Sequence, residues 1–231
     1  VYNRRGYLAF YTCFYGTKTN PAFKIPEVPS EKYDCYYFTN NKEIYQQLKN
    51  TKWKPIFDDK PVTEDSIESA MYSKFIKAMP HNIDPIKNYD YTCYLDSKLE
   101  KVSELFVEEC IDKYFIKENK ALLLRNHQFI KDGKVMSEFN ESMKQERYFK
   151  QKEQIMNYIN KQFENGFDGE IPVHSQTGML IRNMKHPKIN KINDMWYEHI
   201  QECGIQCQIS FFFVKQEYDD SIVVFSENPF V

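Results

Sequence analysis

Seven glycines in 231 residues are too few for a glycine-rich phosphate cradle. The motifs that carry such cradles are missing too: there is no GxGxxG and no GxxxxGK[ST], and GxSxG and HExxH are also absent. Dinucleotide oxidoreductases, P-loop NTPases and α/β-hydrolases therefore lose support. The six cysteines are scattered, with no CxxC pair and no Cys/His cluster of zinc spacing. Cys13, Cys35 and Cys93 fall in apolar runs, where a free thiol packs as a small hydrophobe. A reduced, cytoplasmic chain is the expectation. A net charge of −2 and a pI near 6.3 supply no bulk field for nucleic acid or a membrane surface. No apolar run approaches ~18–20 residues, so no integral membrane segment is expected. The start "VYNRRGYLAFYTCF" also lacks a signal-like segment with a small-residue cleavage site. Arginine is scarce, 5 against 26 lysines, which makes each Arg worth following.

What remains is rich in apolar residues (42%) and aromatics (16%), enough for a folded core. The length favours one domain, 1–231. Strand-like runs stand at 7–16, 33–41, 53–57, 91–96, 121–126 and 178–183, and "QISFFFVKQ" reads as the run that closes the sheet. Pro55 puts 53–57 near an edge. The Pro-bearing stretch 17–30 reads as a loop. Helical periodicity covers 64–79, stopped by Pro80, then 102–117, 141–166 and 189–203. Strands alternating with helices predict an α/β fold with a mostly parallel sheet.

Ligands of open α/β sheets bind beyond the carboxyl ends of the strands. That rule gathers Gly16, Thr39–Asn40, Asp96, Asn126–His127 and Arg182–Asn183 at one edge. Asp96 ends the strand "YTCYL" with a carboxylate. Such an acid often caps the next helix, but that helix starts near 102, with Ser103 at hand. A carboxylate on a rigid strand can also bridge Mg²⁺ or Mn²⁺ to a diphosphate. Lys74 and Lys77 share a helical face, either as a solvated pair or as a clamp on a diphosphate. His127, with Glu138 downstream, gains weight only from its place at the sheet edge. Trp196 is most simply core, although aromatic faces stack on sugars. Glu198 is a carboxylate able to accept a hydroxyl proton.

The order of these segments resembles a known family. "FYTCFYG", "DCYYFTNN", Trp53, "KFIKAMPH" and "YLDS" are followed by Asn126–His127, Gln154, Tyr158 and Gly166. Then come "LIRN", Trp196 with Glu198, and "QIS" at 208–210. Over residues 7–215 this set is similar to a glycosyltransferase-like family first catalogued as a domain of unknown function. That family is related to plant mucilage and pectin biosynthesis proteins and has bacterial and large-virus members.

The resemblance implies a GT-A fold, with a nucleotide-diphosphate-sugar donor on about 1–100 and a glycan or other hydroxyl acceptor on about 101–231. Thr12, Phe14 and Gly16 would line the base and ribose. Lys74 and Lys77 would lie near the diphosphate, and Asp96 would be the acid of the metal motif, holding Mn²⁺ or Mg²⁺. His127, Glu138, Arg182, Trp196 and Glu198 would face the sugar or acceptor. Two departures stand out: Asp96-Ser97-Lys98 offers one acid where many GT-A enzymes have two, and Gln206-Cys207-Gln208 stands where members tend to show Arg-Asp-Gln. If that Asp is the usual base, another carboxylate is needed, and Glu198 is the first choice. Two alternatives to a glycosyltransferase are a non-catalytic nucleotide-sugar or glycan binding module and a metal-dependent hydrolase built on Asp96 and His127.

Overall fold

The computed structural model describes residues 6–17 and 23–231. Part of the loop expected at 17–30, residues 18–22, lies outside them. A seven-stranded sheet runs in the order β3-β2-β1-β4-β6-β5-β7. Its strands are β1 (Gly6–Phe14), β2 (Asp34–Thr39), β3 (Lys54–Phe57), β4 (Tyr89–Leu95), β5 (Leu122–Asn126), β6 (Ser175–Asn183) and β7 (Ile222–Phe225). β1 pairs in parallel with β2 and β4, β2 with β3, and β5 with β7. Among the described strands only β6 runs antiparallel, between β4 and β5. The sheet is thus mostly parallel, with β3 and its Pro55 at one edge.

Central strands buried on both faces need apolar residues at every position, and β1 supplies them. Leu8 and Phe10 join Ile44, Leu48 and Trp53 on one face, while Ala9, Tyr11 and Cys13 join Ile76, Trp196 and Phe211 on the other. The first face is covered by helices α1 (Lys42–Leu48) and α3 (Glu104–Cys110), the latter continuing as a π-helical stretch over Ile111–Lys117. The second is covered by α2 (Ser66–Ala78), α7 (Ile189–Cys203) and α8 (Cys207–Glu217). Asp65 caps α2 by accepting the Ile67 and Glu68 N–H groups, and Pro80 follows its end.

Three expectations change. The stretch 141–166 is not one helix: α4 (Val135–Ser142), α5 (Glu146–Phe149) and α6 (Lys152–Glu164) turn between Ser142 and Glu146 and again near Gln151. At the second turn the Gln151 side chain accepts the Ile205 N–H at 2.8 Å, tying this segment to the start of α8. "QISFFFVKQ" is helical, not a strand. α8 is buried almost all round, with Ile209, Phe212 and Phe213 packed against α4 and α6 and Phe211 and Val214 against the sheet. Finally, the reversal of β6 puts Arg182 opposite Thr92 and Leu122, well back from the carboxyl ends of β4 and β5. The amino end of β6, at Ser175 and Gln176, lies at that edge instead.

Candidate active site

The carboxyl ends of β1, β4 and β5 open into one cleft of about 950 Å³. Phe14, Gly16, Lys74, Lys77, Asp96, His127 and Glu138 all line it. Gly16 leaves β1 at φ +112°, a conformation that favours glycine. Its N–H donates to Asn40 Oδ1 at 3.1 Å, and Asn41 Nδ2 donates to its carbonyl at 3.0 Å, so the ends of β1 and β2 are locked together.

Asp96 begins the turn after β4. Its N–H donates to the Gly178 carbonyl at 2.8 Å, and a side chain at Gly178 would put Cβ 3.2 Å from Asp96 Oδ2. The Asp96 side chain is 44% exposed, whereas that of Lys77 is 3% exposed. Lys77 Nζ donates to Asp96 Oδ1 at 3.2 Å, and the Tyr94 hydroxyl donates to the same oxygen at 2.9 Å. Lys74 lies one turn earlier, half-buried. Burial pulls its ammonium down, but Cys207 and Asp96 outweigh that and hold it above its ordinary value.

Cys207 opens α8 and lines the same cleft, with Sγ 3.4 Å from Thr177 Oγ1. Burial pushes its thiol up, but Lys74 and Lys77 more than offset this and leave it below its ordinary value. Cys13, also on the cleft wall, behaves oppositely: burial pushes it up to about 12.

Beyond the end of β5, His127 Nδ1 accepts the N–H groups of Phe129 and Ile130 at 3.1 and 2.9 Å. The proton of the neutral ring is thereby assigned to Nε2, which faces Glu138 Oε2 at 3.2 Å. Gln208 Nε2 donates to the other Glu138 oxygen. Burial raises the Glu138 carboxyl, but the bonds from His127 and Gln208 outweigh it and keep the group below the usual carboxylate range. His174 lies 3.8 Å beyond, its pKa lowered by burial. Phe129, 84% exposed, stands on the rim beside this pair.

Four sequence candidates lie elsewhere. Thr12 faces the other side of β1 and lines a separate cavity of about 260 Å³ with Trp53 and Leu95; of the site residues only Asp96 borders both spaces. Arg182 is fully buried and donates to Asn193 Oδ1 (3.0 Å), the Tyr11 hydroxyl (3.0 Å) and the Lys77 carbonyl (2.9 Å). It positions the end of α2 and does not reach the cleft. Trp196 is core, its Nε1 donating to the Cys207 carbonyl and Ser210 Oγ at 3.1 and 3.2 Å. Glu198 is exposed on α7, outside the cleft lining. Gln176, Thr177 and Gln208 come to the cleft unpredicted, the first two because β6 runs backwards.

A divalent cation does not fit this donor set. Hard cations need several oxygen ligands, and Asp96 carries an ammonium on Oδ1 with Ser97 and Lys98 following. Among the described residues no group of three His, Cys, Asp or Glu side chains could hold a metal ion. The hydrolase reading loses its site with it, because His127 faces Glu138 and Asp96 faces Lys77.

No protein-family profile and no curated protein matches the chain. Solved structures do. Mouse xyloside xylosyltransferase 1 in its apo form superposes with a TM-score of 0.54 at 11% identity, covering 95% of this chain and 84% of that one. The bifunctional glycosyltransferase WbbM, also apo, gives a TM-score of 0.50 at 12% identity over 95% of this chain and 39% of WbbM. The chain has a glycosyltransferase fold. Among the described residues no helix is long and apolar enough to cross a membrane.

Proposed function

We propose that this protein is a glycosyltransferase moving a sugar from a nucleotide-diphosphate donor to a hydroxyl of a glycan or other acceptor. The observation that carries this reading is the convergence of two sets of groups on one cleft of a glycosyltransferase-type sheet. Lys74, Lys77 and Asp96 line it together with the His127–Glu138 pair. The order of sequence segments, which resembles the mucilage- and pectin-related family, supports the same reading.

In the reaction, the bond between the anomeric carbon and the diphosphate oxygen breaks and its electron pair leaves with the nucleoside diphosphate. Ammonium groups fixed near that oxygen stabilise the charge as it develops. The acceptor oxygen bonds to the anomeric carbon and its proton goes to Glu138, which replaces Glu198 as the base. His127 and Gln208 orient that carboxylate. The N-terminal half then serves the donor and the C-terminal half the acceptor. Six free, buried thiols suit a reducing compartment such as the cytoplasm.

Release of nucleoside diphosphate from UDP-, GDP- and dTDP-sugars tests the reading. One donor should be turned over, and Glu138→Gln should slow turnover by about 10²-fold or more, while Glu198→Gln stays within about twofold. Cys207, in place of the family's acid, favours a second reading, a binding module with the same shell. That module would bind a donor and release nothing.

A further inference from the structure

The place a metal would take beside Asp96 is already filled by a cation. Lys77 Nζ stands 3.2 Å from Asp96 Oδ1, and its side chain is buried against the cleft floor. Arg182 and the Tyr11 hydroxyl both donate to the Lys77 carbonyl, at 2.9 and 3.3 Å, which fixes where the α2 end delivers that ammonium. Lys74 projects from the preceding turn into the same cleft, and Lys98 and Arg147 stand on its rim. A divalent ion placed here would meet one carboxylate and two ammonium groups, an electrostatically poor exchange for its water shell.

We infer that this cleft binds the diphosphate of a nucleotide sugar without a divalent cation, the Lys74 and Lys77 ammonium groups taking the metal's place. The inference rests on the donor reading above. It adds that Asp96 serves as the anchor of Lys77: it holds the ammonium in position until phosphate oxygens share it, with half of the carboxylate left open to the cleft.

Isothermal titration with inorganic pyrophosphate, UDP, GDP and dTDP, each in EDTA and in millimolar MnCl₂, tests this. Pyrophosphate and at least one nucleotide should bind with dissociation constants agreeing within about threefold between the two buffers. Lys74→Gln, half-buried and so tolerable to the fold, should weaken binding in EDTA about tenfold, as expected for one charge-assisted contact. A melting curve matching wild type would confirm that the variant is folded. Lys77→Met, which strands Asp96, serves as a second variant. Binding confined to the MnCl₂ buffer, a tenfold tightening by Mn²⁺, or indifference to Lys74→Gln would overturn the inference and leave the donor reading standing. Silence from every nucleotide in both buffers would remove the two together.

Discussion

Cys207 is a thiol held low by two lysines, at the first turn of α8 and on the wall of the cleft. A lowered pKa means the thiolate is populated at lower pH than an ordinary thiol near about 8.5. Alkylation by iodoacetamide, followed by peptide mass mapping, should therefore mark Cys207 first among the six cysteines, with a rate midpoint below that of an ordinary thiol. Cys13, pushed up to about 12, should stay unmodified across the same range. Pyrophosphate should slow the Cys207 reaction, because anions on Lys74 and Lys77 compete for the charge that stabilises the thiolate. Phe129 offers a different residue-scale test. A large aromatic left 84% exposed beside the His127–Glu138 pair has the character of a sugar-stacking platform. Phe129→Ala should raise the acceptor KM about tenfold and leave donor hydrolysis within twofold, since the ring packs beside His127.

At the scale of elements, α2 and β6 meet through Arg182. Its guanidinium satisfies Asn193, Tyr11 and the Lys77 carbonyl inside the core. Arg182→Met would strand those partners and should lower unfolding stability by about 3 kcal/mol in urea titration. Lysine, a compact point charge, should not rescue it. Sequence periodicity located α2 and α7 well, since Asp65, Pro80 and spaced apolar residues mark helix ends and faces. Pro55 likewise marked the edge strand. Direction and burial were less legible. Nothing in "GMLIRN" states that β6 runs antiparallel, because strand direction is fixed by pairing partners; the reading therefore sent Arg182 to the wrong rim and missed Gln176 and Thr177. "QISFFFVKQ" is apolar on nearly every side, which erases the helical period and leaves a strand-like run. The breaks around α5 carry no Gly or Pro, and the Gln151 bond that secures one of them comes from a residue 54 positions from its partner.

For the molecule as a whole, two chain halves close on one space. The half up to Lys98 brings Gly16, Lys74, Lys77 and Asp96; the half beyond brings His127, Glu138, Arg147 and Cys207. The sequence candidates that the fold brings to this cleft are those at carboxyl ends of parallel strands, those on the helix before β4, and Glu138 on α4. Those placed outside its lining, Arg182, Trp196, Glu198 and Thr12, depend on strand direction, helix facing or β alternation, which tertiary packing decides. A crystal structure with the tightest-binding nucleoside diphosphate measures the central claim most directly. It should show diphosphate oxygens within hydrogen-bonding distance of Lys74 and Lys77 Nζ, with the terminal phosphate directed toward Glu138. Nucleotide bound outside this cleft, or a cleft left unfilled at saturating nucleotide, would contradict it.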